Sequence, residues 1–249
     1  MVKAIKCLAA VAPLIFSSAC GNIAAHNQAS AAARSASQDR VAVGVDAEPR
    51  GYLIANFTVF NEEPFNQYRS DVRKFFGNFQ GKMIMRDTNA IAMEGDAAKQ
   101  VMAIIEFSNL GAAKKYYFSP EYTAAKKNRI TATDSLVALA SGVQGVVSEQ
   151  TNPARGYLIV NYSRRDIVAV NEHLEKIKPL LETYNGRFIS SDGNAEVVEG
   201  SRDQLLAIID FPGISYATKF YRSLEYTALR QSQIPNIPVT IVIGNGMPG

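Results

Sequence analysis

The stretch RGYLIANF, beginning at Arg50, returns as RGYLIVNY at Arg155, an offset of 105 residues. The same offset carries FQGKMIM at Phe79 onto YNGRFIS at Tyr184, and AMEG at Ala92 onto VVEG at Val197. One residue is then lost. An offset of 104 carries AIIEF at Ala103 onto AIIDF at Ala207, YYFSPEY at Tyr116 onto FYRSLEY at Phe220, and LVAL at Leu136 onto TIVI at Thr240. Solenoid repeats are much shorter, so a period this long predicts a duplicated domain. Whatever fold the first copy takes, the second takes too.

Each copy shows the same succession of hydrophobic periods. The run Tyr52 to Val59 alternates, with Leu53, Ala55, Phe57 and Val59 on one face and Tyr52, Ile54, Asn56 and Thr58 on the other, which predicts a strand. A helix follows, with Pro64 near its start and Phe65, Tyr68, Val72, Phe75 and Phe79 at helical spacing. The second copy keeps that stripe as Val170, His173, Ile177, Leu180 and Tyr184, with a kink expected at Pro179. Gly81 and Gly186 mark turns into a second strand region, Met83 to Met93 and Phe188 to Val198. A third strand, a second helix and a fourth strand complete each unit. In SPEY and SLEY, Ser119 and Ser223 read as a helix break with a cap, Pro120 starting the next turn. The order β-α-β-β-α-β, written twice, is an α+β pattern of two ferredoxin-like domains. Helices cover only one face of such a sheet. The bare face needs a partner, and the second copy in the same chain supplies it.

The run RGYLIANF, the Gly81-Lys82 and Gly186-Arg187 turns, MEG and VEG, IIEF and IIDF, and above all SPEY and SLEY together resemble the domain-of-unknown-function family 1330. The likeness covers Arg50 to Gly142 and Arg155 to Gly244. It implies a dimeric α+β barrel in which two ferredoxin-like sheets close on one another, here as a pseudo-dimer within one chain. The family has no agreed activity, so the likeness implies a fold and leaves the function open.

The first residues, MVKAIKCLAAVAPLIFSSAC, have a basic start at Lys3 and Lys6, an apolar stretch from Cys7 to Phe16, and small residues before Cys20. This is a secretory signal layout over residues 1–19, too short to span a bilayer. SSAC resembles a bacterial lipobox, with Ser17 standing where leucine is favoured. Removal of the signal leaves Cys20 as the lone cysteine, an anomaly in an oxidising compartment that lipidation resolves. The expected address is therefore the cell envelope, as a periplasmic lipoprotein anchored to the membrane through Cys20. Gly21 after the cysteine points by resemblance to the outer membrane, and the alternative is soluble secretion. Residues 20–49, rich in Ala and Ser, read as a flexible tether of about 30 Å. Residues 50–147 and 155–249 read as the two repeats.

The formal charge is +3, and without Lys3 and Lys6 it is 24 basic against 23 acidic residues, or +1. That leaves no electrostatic footprint for nucleic acid. With only His26 and His173 in the chain, neither a Ser-His-Asp relay nor a multi-histidine metal site is available, and no cofactor is called for. The terminal GNGMPG matches G-x-G-x-x-G by letter, but no helix follows it, so it reads as a loose tail.

Polar residues recur at matched positions. Asn56 and Asn161 sit near the ends of the first strands, Glu94 and Glu199 at the ends of the second, and Glu106 and Asp210 near the ends of the third. If strands one and three are neighbours, Asn56 with Glu106, and Asn161 with Asp210, share a cavity beside Lys82 and Arg187. Such a set could bind a small polar ligand or supply a general base, and structural ion pairs capping strand ends are the favoured reading. Tyr122 and Tyr226 are packing residues or close the mouth of a pocket. Three functions follow: a binder of a small polar ligand in or beside the barrel; a cofactor-independent monooxygenase-like or isomerase-like enzyme, by fold analogy; or a structural envelope protein. A roomy lumen lined by Asn56 and Glu106 supports the first two, and an apolar, filled lumen speaks against both.

Overall fold

The computed structural model describes residues 48–95, 101–200 and 204–249. The signal, Cys20 and the tether up to residue 47 lie outside the described residues. The first repeat runs β1 (Gly51–Val59), α1 (Glu62–Phe75), β2 (Lys82–Asp87), β3 (Ile91–Glu94), β4 (Val101–Phe107), α2 (Leu110–Tyr117), α3 (Pro120–Ile130) and β5 (Thr133–Ser141). The second repeats that order: β6 (Gly156–Ser163), α4 (Ile167–Thr183), β7 (Arg187–Asp192), β8 (Glu196–Glu199), β9 (Gln204–Phe211), α5 (Ile214–Tyr221), α6 (Leu224–Gln233) and β10 (Val239–Asn245).

The long second strand expected in each repeat is two strands, and its halves belong to different sheets. One sheet is ordered β2-β4-β1-β5-β8 and the other β3-β10-β6-β9-β7, so each repeat lends its short strand to the sheet of the other. The break has a local cause. Asp87 and Asp192 each fold back to accept a hydrogen bond from the backbone N–H two residues on, at Asn89 (2.8 Å) and Asn194 (2.7 Å), the turn that aspartate favours. Their second carboxylate oxygens accept from the other repeat, Asp87 from the Asn245 N–H at 2.8 Å and Asp192 from the Ser141 N–H at 2.7 Å. A single pair of matched aspartates thus makes the bend and fastens the exchange. The glycines of MEG and VEG end the exchanged strands at positive φ, 83° at Gly95 and 92° at Gly200, where a side chain is strained.

The faces of β1 divide as the alternation predicts. Leu53, Ala55 and Phe57 pack against α2 and the aromatic residues of the helical layer, while Tyr52 and Ile54 enter a core between the two sheets with Ile104, Tyr157, Ile159 and Ile208. The sheets meet at both seams, where isolated bridges join Met85 to Gly246 and Gly142 to Ser190. The C-terminal glycines are accordingly not a loose tail. The Gly246 N–H donates to the Arg155 carbonyl and the Met247 N–H to the Ile84 carbonyl, both at 2.7 Å. The architecture is a ferredoxin-like α+β barrel built by two repeats of one chain.

The repeated RGY has a packing reason. A Cβ on Gly51 would lie 2.2 Å from the Asn109 carbonyl oxygen, and one on Gly156 would lie 2.4 Å from backbone atoms of Gly213 and Ile214. The loop entering the second helix of each repeat crosses directly over the first strand, which only glycine permits. Ser119 and Ser223 then cap the helices they precede, accepting from the N–H groups of Tyr122 (3.1 Å) and Tyr226 (3.2 Å). Leu224 replaces Pro120 without loss because the cap is made by the serine.

Candidate functional site

The lumen is filled. Asn56 and Asn161 reach it from facing sheets, but the void they share with Ile54, Met102, Val197 and Leu206 measures about 10 Å³, room for a single water. Asn56 Nδ2 donates to the Val101 carbonyl at 3.0 Å, so the amide serves the strand beside it. Nor do Asn56 and Glu106 meet. In the β1–β4 register Asn56 lies opposite Met102 and Glu106 lies opposite Tyr52. Four residues of strand separate them, about 13 Å. The expected cavity of amide, carboxylate and cation is not formed.

The four acidic residues all make structural contacts. Glu106 accepts from the Tyr52 hydroxyl and from the Ser148 N–H, both at 2.9 Å, which holds the connection between repeats against β4. Asp210, one methylene shorter, turns to Arg155 (2.6 and 2.8 Å) and Arg187 (3.1 Å), and the buried Tyr157 hydroxyl has no partner among the described residues. Arg187 and Asp210 are thus the one predicted cation and carboxylate brought together. Lys82 is opposite Glu106 in register, but its side chain is exposed. Glu199, carried into the first sheet by β8, receives Arg129 through two bonds of 2.9 and 2.6 Å and the Tyr117 hydroxyl at 2.7 Å. Glu94, carried into the other sheet by β3, receives Arg230 and the Tyr221 hydroxyl. Tyr117 and Tyr221 are equivalents, whereas the arginines come from helix positions one turn apart in the two repeats.

Arg129 is fully buried. It also donates to Ser135 Oγ at 2.8 Å and lies 4.9 Å from the Phe57 ring centre. Burial alone would raise the Glu199 carboxyl, but the hydrogen bonds and charge of Arg129, with the Tyr117 hydroxyl, hold it below the ordinary carboxylate value.

An apolar cavity lies on the opposite face of the first sheet, beneath α1. There a cavity of about 290 Å³ is bounded by the sheet at Ala55, Met83 and Val101, by α1 at Phe65 and Val72, and by Tyr116 and Tyr122 of the second helical segment. Its size is near the lower end for small-molecule sites. The second repeat explains why it exists. At the matched positions Ala55 becomes Val160, Arg69 becomes Leu174, Met83 becomes Phe188 and Val101 becomes Leu205. Five residues of α4 are buried on their sheet, Val170, His173, Leu174, Ile177 and Leu181, while α1 buries only Phe65. The second helix is seated and the first stands off.

Inside the cavity the hydroxyls of Tyr68 and Tyr122 lie 3.3 Å apart. Burial raises both phenols, most strongly Tyr122, so both remain protonated at neutral pH. Arg69, Arg73 and Arg86 stand among the lining residues with no carboxylate, histidine or cysteine. Chemically the cavity offers apolar contact, hydroxyl groups and positive charge, and no described lining group is placed to take a proton. Among the described residues no three of His, Cys, Asp and Glu converge as metal ligands. Of the predicted site residues only Tyr122 lines this cavity. Tyr226 is buried at the matching place in the second repeat, within 4.5 Å of the Phe220 ring centre and 6.1 Å of His173. The signal for the cavity was present in the sequence as the small-for-large differences between copies, at Ala55 and Val101 above all.

In comparisons with known proteins, an anthrone oxidase-like protein shares 11% identity, covering 82% of this chain and 94% of that one, with a TM-score of 0.48. Chlorite dismutase from Candidatus Nitrospira defluvii shares 11% identity, covering 81% and 92%, with a TM-score of 0.47. A protein of unknown function from Rhodopseudomonas palustris shares 17% identity, covering 48% of this chain and 94% of its own, with a TM-score of 0.35. No curated protein is significantly similar in sequence. The model of the family described as Domain of unknown function (DUF1330) matches residues 50–143 and again residues 155–247. With most of its length matched in two successive copies, the chain belongs to the DUF1330 family and carries that domain twice.

Proposed function

We propose that this protein binds a small, largely apolar molecule in the cavity beneath α1 of its first repeat, and that it does so in the cell envelope. The observation that carries the binding is the asymmetry between copies: one helical layer encloses about 290 Å³ where the other is closed by larger side chains. A duplicated scaffold that fills one copy and opens the other is consistent with one copy serving support and the other serving ligand. The molecule expected from the sequence was polar and in or beside the barrel; the lining of this cavity argues for a largely apolar one beside it. The absence of a carboxylate, histidine or cysteine among the described lining residues favours binding over proton abstraction. The envelope address rests on the signal layout and on Cys20.

The test uses the full chain and the neutral fluorescent probe 1-aminoanthracene. Ala55→Val with Val101→Leu, which introduces the second repeat's residues, is expected to weaken probe binding at least tenfold. Asn56→Ala, in the lumen, is expected to leave it unchanged. Equal binding by the wild type and the filled variant would refute the assignment of the site.

A further inference from the structure

Three arginines meet at this cavity. Arg69 and Arg73 are one helical turn apart on α1, and Arg86 projects from β2 toward the same space. Residues at this helical spacing share a face, so the first two repel one another. Among the described residues none of the three has an ion-pair partner, and the contact made by Arg69 is a 3.3 Å hydrogen bond to Asn66 Oδ1. Arg69 is half-buried, while Arg73 and Arg86 are exposed; by comparison Arg129 is paired with Glu199, Arg155 and Arg187 with Asp210, and Arg230 with Glu94. The second repeat gives the control. Its matched positions are Leu174, Lys178 and Ser191, so the cluster is dismantled where the cavity is filled. In this chain the copy with the cavity carries the three arginines, and the filled copy keeps a single cation, Lys178, at the matched positions. Six aromatic residues share the lining: Phe57, Phe65, Tyr68, Phe76, Tyr116 and Tyr122.

We infer that the ligand of this site is a planar aromatic carboxylate, its ring among the aromatic side chains and its anion at Arg69, Arg73 and Arg86. This rests on the small-molecule binding proposed above. Aromatic edges and faces favour a planar ring over an alkyl chain. A guanidinium fork matches a carboxylate through paired hydrogen bonds, and three forks without acids leave a charge that an anion neutralises. Partial burial and the charges of Arg69 and Arg73 hold Arg86 below the usual arginine value, as expected of a cation set awaiting a counter-charge.

The experiment displaces 1-aminoanthracene from the full chain with 2-naphthoate, with its neutral counterpart 2-naphthamide, and with laurate. The expected result is displacement by 2-naphthoate at roughly tenfold to hundredfold lower concentration than by 2-naphthamide, the range for hydrogen bonds to a charged group. In Arg69→Gln/Arg86→Gln that ratio should fall to near one, and a circular dichroism spectrum and urea midpoint like those of the wild type show that the variant is folded. Arg86→Lys should retain part of the preference. Equal displacement by the acid and the amide, an unchanged ratio in the double variant, or stronger displacement by laurate would each overturn the inference while leaving the binding site in place. Absence of probe binding to the wild type would remove both.

Discussion

Glu94 and Glu199 occupy the same position in the two repeats, yet their removal should have very different consequences. Among the described residues Glu199 is the sole carboxylate hydrogen-bonded to Arg129, the side chains being 16% and 0% exposed, whereas Glu94 pairs with Arg230 where both side chains are 24% exposed. Removing one partner of a buried pair leaves a charge without compensation and costs about 3–5 kcal/mol. A solvent-accessible pair contributes about 0–1 kcal/mol. Glu199→Gln keeps the shape of the side chain and one accepting oxygen, so its cost is set near the lower end, about 3 kcal/mol, against about 1 kcal/mol for Glu94→Gln. For a folded unit of this size the first corresponds to a fall of about 6–12 °C in melting temperature and the second to about 2–4 °C. Urea unfolding followed by circular dichroism, with thermal melts alongside, measures both. Arg129→Met/Glu199→Met provides the control, because replacing the whole pair by apolar side chains should restore most of the loss. If Glu199→Gln were no more damaging than Glu94→Gln, the claim that the exchanged strand β8 is fastened by a buried ion pair would be wrong. So would it be if the double methionine variant were no better than the single glutamine one.

Acid should weaken the fold through the same carboxylate. The folded-state value of Glu199 lies below its ordinary value near 4.5, so its contribution is complete above that pH and is lost as pH falls through the depressed value. Urea midpoints between pH 3 and 6 should slope less in Arg129→Met/Glu199→Met than in the wild type, and identical slopes would refute the linkage. His173 works in a window nearer neutrality. It is fully buried, with Nδ1 3.1 Å from Gln233 Oε1, between the rings of Tyr162 and Tyr226, and burial with the Lys176 charge holds it below the ordinary histidine value of 6.5. The unfolded chain therefore takes up a proton that the folded one refuses, and stability should decline as pH drops below about 6.5. His173→Gln should flatten that decline, read by urea midpoints at pH 5 and 8. For the envelope address, Cys20→Ser is expected to move the protein from the membrane fraction to the soluble fraction, and unchanged membrane association would count against a lipid anchor.

Much of the fold was written in the one-dimensional pattern. The alternation from Tyr52 to Val59 placed Leu53 and Phe57 under the helices and Ile54 in the inter-sheet core, because a strand has only two faces and one residue's step decides which is used. SPEY and SLEY announced a capped helix start because serine's hydroxyl acts within three residues of itself. The duplication required that the two bare sheet faces be able to cover one another. Asp87 and Asp192 make the turns that break the second strand region, a break that the continuous run from Met83 to Met93 concealed.

What the pattern left undecided depends on groups brought together from distant parts of the chain. That Glu199 would meet Arg129 and Glu94 would meet Arg230 follows from the exchange of β3 and β8 between sheets, an event with no local signature. That Asn56 and Glu106 would lie at different ends of their strand pair is a matter of antiparallel register, which joins Asn56 to Met102 and Tyr52 to Glu106. The location of the open space was the furthest from view. Whether a helix seats on its sheet depends on summed side-chain volume across four elements, and a few substitutions, Ala55 for Val160 and Arg69 for Leu174 among them, tip that sum only in the folded layer. The sequence alone determined that there would be two like domains closing on each other; only their packing in three dimensions decided that the lumen between them would be solid and that one helix would stand clear of its sheet.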